Sequence, residues 1–146
     1  MKIQEKDLYH GAALTQIVEH DSFKALNKGS EKYGHYLINQ NRNIFIKHTK
    51  NPESPWSFTF QPDDLEFLRN LHEQEGAYLF LCLVCGSSTV CALSGKEIKQ
   101  ILDLCSKNVA WVKVEVPPHG QCHVKGSNGE AGKAIPHRAF PDKLFL

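Results

Sequence analysis

The 146-residue chain is predicted to be a single α+β domain, residues 1–146, built on a mixed β-sheet, and three observations predict it. Tyr78 to Cys85 is apolar without a break, too short to span a membrane and rich in strand formers, which reads as a strand buried on both faces. Segments with apolar residues at helical spacing lie on either side of it in the chain and can cover both faces. Other segments alternate polar and apolar residues with period two, the pattern of half-buried strands. The expected elements are helices over 7–20, 63–75 and 95–105, a buried central strand over 77–85 and a C-terminal β-hairpin over 110–125.

Asp7 is expected to cap the first helix, whose apolar stripe would be Leu8, Ala12, Leu14, Ile17 and Val18. Ser22 to Asn27 is a short strand candidate, broken by Lys28-Gly29-Ser30. From Tyr33 to Lys50 the period changes, and YGHYLIN and NIFIKHTK read as two strands around the turn Gln40-Asn41-Arg42. Pro52 and Pro55 bracket a loop, after which Trp56, Phe58 and Phe60 alternate with Ser57 and Thr59.

Pro62-Asp63-Asp64 opens the second helix, with two carboxylates at the positive end of its dipole. Leu65, Leu68, Leu71 and His72 form its inner stripe, and Gly76 is its expected stop. The central strand turns at Gly86-Ser87-Ser88 into Thr89 to Leu93. Ser94 and Glu97 form a capping box for the third helix, with a stripe of Ile98, Ile101, Leu102 and Cys105. Ala110 to Val116 alternates, with Trp111 facing away from Val112, Val114 and Val116, and Pro117-Pro118-His119-Gly120 turns the chain into Gln121 to Lys125. Ser127 to Gly132 reads as loop, and the tail holding Phe140, Leu144, Phe145 and Leu146 is expected to dock on the domain or, in a homodimer, on a second copy.

Hydrophobic content of 41% and charge of 23% are globular values that exclude a fibre or a disordered chain. The net charge of +1 gives no overall drive toward nucleic acid or membrane, yet the charge is uneven. Residues 1–50 hold eight basic and five acidic side chains, 51–104 three and eight, and 105–146 six and three. The N-terminus lacks the apolar run of a signal peptide and no segment reaches transmembrane length, so the expected location is cytoplasmic. Five cysteines suit reduced thiols better than a disulfide framework, and Cys82 and Cys85, three apart on a strand, should face opposite sides. No Gly-rich phosphate loop, nucleophile elbow or HExxH is present.

Two sets of residues around the first hairpin could carry chemistry. Lys24, Lys28, Lys32, Arg42, Lys47 and Lys50, interleaved with Tyr33, His35 and Tyr36, could meet a phosphate backbone, with the rings available for stacking, or simply keep an edge hairpin soluble. His35 and His48, on neighbouring strands, could bind a metal ion or act as acid and base near neutral pH.

The order helix, three or four strands, helix, strand over about residues 7–93, with YGHYLIN, a turn and NIFIKHTK inside it, resembles the helix, three strands, helix, strand core of the PD-(D/E)XK (restriction-endonuclease-like) nucleases and resolvases. The helix, hairpin and docking tail of 94–146 lie outside the resemblance. It implies a divalent cation, Mg²⁺ or Mn²⁺, held by carboxylates beside a lysine, with Lys47 on the lysine position and Glu19 similar to a helical acidic residue of some members, as the catalytic pair. Phe45 stands where the metal-binding Glu or Gln would be, and Gly34 and His35 occupy the region of the Asp, so the ion seat does not transfer intact.

Three functions are consistent with these features. The leading one is a non-catalytic binding or accessory module on a nuclease-like scaffold, without a cofactor, that contacts nucleic acid or a partner protein. The others are a divalent-metal-dependent nuclease with relocated ligands, and a homo-oligomeric interaction domain using the tail.

Overall fold

A computed structural model describes residues 1–74 and 78–146. A five-stranded mixed sheet, in the order β1 (Leu26–Lys28), β2 (His35–Ile38), β3 (Arg42–Thr49), β5 (Tyr78–Cys85) and β6 (Thr89–Ser94), forms its centre. All neighbours are antiparallel except β3 and β5, which run parallel from Arg42↔Tyr78 to Thr49↔Cys85. The parallel pair needs a long crossover, and β4 (Trp56–Phe60) and α2 (Pro62–His72) supply it. The α+β class and the buried central strand are as the sequence predicts. Gly76 as helix stop and Ala77 as strand start lie outside the described residues, as does the last residue of the expected 63–75 helix.

Strand alternation sends the two faces of this sheet into two cores. Phe45, Leu81 and Leu83 point into the larger one, shared with α2, with α3 (Gly95–Ile101) and with a second sheet. Ile44, Ile46 and Cys82 point into the smaller one, shared with α1 (Glu5–Val18) and the tail. Cys82 and Cys85 therefore face opposite sides, as a three-residue offset on a strand requires.

The second sheet is antiparallel throughout, in the order β4, β7 (Ala110–Glu115), β8 (His123–Gly126) and β9 (Gly129–Glu130). The aromatic strand Trp56–Phe60 leaves the central sheet to pair with β7, and its buried rings close the larger core from the far side. Trp111 faces solvent while Val112 and Val114 are buried. Gly129–Glu130, expected as loop, adds a two-residue edge strand to β8.

Helix ends obey local chemistry more than the expected residues. The α1 cap is Gln4, and Asp7, expected as the cap, lies one turn in and accepts the Gln4 amide at 2.8 Å. Its buried face is His10, Ala13 and Ile17, whereas Leu8 and Val18 are exposed. The stripe is rotated because His10 finds a partner on β3 and can be buried. In α3 the Ser94–Glu97 capping box is present, but the helix stops at Ile101, so Leu104 turns inward and Cys105 is left in solvent.

The tail docks on its own chain through α4 (Ala139–Asp142) and a 3-10 turn, Lys143–Phe145. Phe140 and Leu144 are buried in the smaller core, and Lys143 Nζ donates to the Ala92 carbonyl at 3.0 Å and to Glu97 at 2.8 Å. The apolar side chains offered to a second copy are thus largely used in cis. Among the described residues no helix is long and apolar enough to cross a membrane.

Candidate anion-binding cleft

β3 is longer than β2. Their pairing ends at His35↔Phe45, and after the Gly34 carbonyl takes the Ile46 amide at 2.9 Å, the far end of β3 has no strand on that side among the described residues. Gly34 has φ +90°, and a Cβ there would come 2.6 Å from the Ile46 carbonyl oxygen, so only glycine lets the chain cross this close. Where β2 stops, a cleft of about 410 Å³ opens between the first turns of α1 and α2. Because it lies at a strand end, side chains from both faces of β3 reach it: Phe45 and Lys47 from one, Ile46 and His48 from the other. Lys6, His10, Lys32, Tyr33 and Asp64 complete the lining.

Asp64 organises one wall. It is the third residue of α2, and its Oδ2 accepts the Gln61 amide at 2.9 Å, fixing the carboxylate against the helix start. Lys32 Nζ lies 2.7 Å from Oδ1 and Lys47 Nζ 3.3 Å from Oδ2. Burial alone would raise the Asp64 pKa, but the Lys32 ammonium, the Gln61 amide and the Lys47 charge outweigh it and hold the carboxyl below its usual range. Burial would lower the Lys32 pKa, and its hydrogen bonds to Asp64 and Asp63 raise it instead. Phe45 lies between the two lysines, each 6.0 Å from its ring centroid, and meets Phe67 edge-on.

Histidines and a tyrosine form the other wall. His10 Nε2 is 3.1 Å from His48 Nδ1, and His48 Nε2 is 3.5 Å from Glu5. Tyr9 stacks on His48, His10 packs on Tyr33, and the Lys6 ammonium sits 4.3 Å over the Tyr33 ring. His10 is buried with Nδ1 unpartnered, and burial followed by the His48 and Lys6 charges pulls its pKa down to about 4. It is neutral at physiological pH. The cleft therefore holds three ammonium groups, Lys6, Lys32 and Lys47, against one inward carboxylate.

The sequence-predicted residues divide sharply. Lys32 and Lys47 line the cleft. Glu19, expected near Lys47, sits just past the opposite end of α1, roughly 21 Å along the helix from Glu5, on the other side of the sheet from the Lys47 side chain. His35 and His48 do lie on adjacent strands, but an odd offset turns them to opposite faces, so they cannot share an ion. His35 is a satisfied core residue, with Nε2 2.8 Å from Asn43 Oδ1 and Nδ1 2.8 Å from Ser30 Oγ. Among the described residues no group of three or more His, Cys, Asp or Glu side chains is arranged to hold a metal ion.

The remaining predicted basic residues scatter. Lys24 and Arg42 border a separate concavity at the β2–β3 turn, where Arg42 also donates to the Leu146 carbonyl at 3.1 Å. Lys28 pairs with Glu31, Lys50 lies 3.9 Å from Glu5, and half-buried Tyr36 packs against the smaller core. Missing from the sequence-predicted set are Lys6, His10 and Asp64, whereas Tyr33, expected as one of the rings near the basic residues, does line the cleft. Lys6 and His10 are four apart on a helix and so share a face, which was a legible signal. Asp64 was legible only as a helix start.

No family model, no curated protein and no solved structure matches this chain.

Proposed function

We propose that this chain is a non-catalytic module that binds the phosphate backbone of nucleic acid in the cleft at the end of β3. The observation that carries the reading is the convergence of Lys6, Lys32 and Lys47 on one opening lined by a single carboxylate, Asp64, with Asp63 3.0 Å from Lys32 at its rim. Exposed Tyr33 adds a ring face for a base or sugar. Asp64 holds two of the lysines in place, and a phosphate would replace that carboxylate as their counter-charge.

The order α1, β1–β2–β3, β4, α2, β5, with β3 and β5 adjacent and β4 diverted to the second sheet, is what supports a nuclease-like scaffold. On that scaffold the lysine position is kept and the ligand position is a phenylalanine. The five unpaired thiols are consistent with a reducing, cytoplasmic setting. The test is binding of a fluorescein-labelled oligonucleotide at 50 mM salt. Micromolar or tighter binding that weakens steeply with salt, and that is weaker and less salt-dependent in Lys32→Ala/Lys47→Ala, supports the reading, and no binding at 50 mM rejects it.

Metal-dependent cleavage with relocated ligands has one observation in its favour, the Asp64 carboxylate beside Lys47. Two ammonium groups already share that carboxylate, and they repel a dication from it. Plasmid nicking that needs Mg²⁺ or Mn²⁺ and disappears in Asp64→Asn and in Lys47→Ala would establish this second reading.

A further inference from the structure

The outward face of the second sheet carries an arrangement that the cleft does not use. Alternation along β4, β7 and β8 buries Trp56, Phe58, Phe60, Val112, Val114 and Val124 and leaves the intervening side chains in solvent. On that outer face Trp111 is 42% exposed, and Lys113 follows it two residues along the same strand, about 6.8 Å away. Lys113 is directly opposite Lys125 on β8.

Two like charges facing each other across an antiparallel pair repel, and they persist in a sheet only where something else compensates. Neither lysine forms an ion pair among the described residues. Glu130 is opposite Lys125 on its other side, and Glu115 lies two residues along β7 from Lys113, so each lysine has a glutamate neighbour on this face without forming an ion pair to it. Beside the lysine pair is a concavity of about 440 Å³ lined also by His123 and Lys133 and by the carboxylates Glu115 and Glu130.

We propose that this face binds single-stranded nucleic acid, with Trp111 stacked on a base and Lys113 and Lys125 on the adjoining phosphates. An aromatic face next to two cations that form no ion pair among the described residues matches what a single strand offers, a base with its π-face free and a phosphate on each side of it. A duplex keeps its base faces stacked inside and offers Trp111 nothing to stack on. The proposal stands apart from the cleft, and its test separates the two.

Trp56 is 3% exposed, so Trp111 is the tryptophan that a solvent-side ligand can quench. The full chain is titrated with a 15-nucleotide oligo(dT), oligo(U) and a duplex of equal length, and with poly-glutamate as a plain polyanion. The expected result is saturable quenching by the single strands, weakened about sevenfold between 50 and 200 mM salt if two phosphates are engaged. Lys113→Ala and Lys125→Ala each reduce that salt dependence. By anisotropy of a labelled oligonucleotide, Trp111→Phe retains this site's binding and Trp111→Ala weakens it about tenfold or more. Quenching also persists in Lys32→Ala/Lys47→Ala.

The proposal is overturned if the single strands leave Trp111 emission unchanged at 50 mM salt, or if the duplex or poly-glutamate quenches it equally well. It is overturned too if quenching vanishes in the Lys32→Ala/Lys47→Ala protein, or survives intact in Lys113→Ala/Lys125→Ala.

Discussion

The Lys47 ammonium, projecting from the overhanging end of β3, lies 3.3 Å from the Asp64 carboxylate at the start of α2. The contact ties the central sheet to the crossover helix, and Lys32 takes the other oxygen of the same carboxylate. An anion entering the cleft competes with Asp64 for both lysines. That competition sets the first expectation.

Asp64→Asn keeps an oxygen for the Gln61 amide while removing the charge. Affinity for an oligonucleotide should rise severalfold, and the slope of log K against log salt should steepen by up to about 1 for each lysine newly engaged. The altered cap should cost about 1 kcal/mol of stability, measured by urea unfolding.

His10 supplies a pH signature. Its pKa, about 4 in the folded chain against 6.5 for an exposed imidazole, is depressed, so its contribution to stability is complete above pH 6.5 and is lost as pH falls toward 4. Across that window the unfolded chain binds the proton and the native chain does not. Unfolding free energy should fall by about 1.4 kcal/mol per pH unit on account of this group. A His10→Gln protein, followed by urea titrations between pH 4 and 7, should lack that increment.

The thiols should react in an order set by burial. Cys105 is exposed, whereas burial pushes the Cys82 thiol up to about 12 and raises Cys85 as well. A chromogenic disulfide reagent should titrate one fast thiol in the native protein and the remaining four only on unfolding. A second fast thiol would point to Cys122, whose pKa is lowered by its neighbours Cys91 and His137, and fast reaction of three or more would mean that the central strands are less enclosed than their packing indicates.

Phe140 anchors the tail in the smaller core at 4% exposure. Phe140→Ala should cost about 3–5 kcal/mol, seen as a lowered urea midpoint. The protein should elute at the same size before and after the change. A shift from dimer to monomer would instead assign the tail to an interface between copies.

The central sheet was legible because its strands carry unambiguous patterns: eight apolar residues in a row for β5 and strict alternation for β4 and β7. The α1 stripe was not legible, since it depends on a histidine that is buried through a partner 38 residues away. A stripe built from apolar residues alone selects Leu8 and Val18, which are in solvent. The site was half legible for a related reason. Lys32 and Lys47 stand out as basic residues near a hairpin, but the cleft exists because β3 outruns β2 and because the crossover brings the first turn of α2 alongside. Neither fact is local. The opposite facing of His35 and His48 could be read only once the register His35↔Phe45 was known.

The most direct measurement is the salt dependence of oligonucleotide binding, read by fluorescence anisotropy for the native chain and for Lys32→Ala/Lys47→Ala. The account predicts a linear fall of log K with log salt in the native protein, and a slope shallower by about 1.4–1.8 when both lysines are gone. Equal slopes for the two proteins, or no binding by either at 50 mM salt, would contradict it.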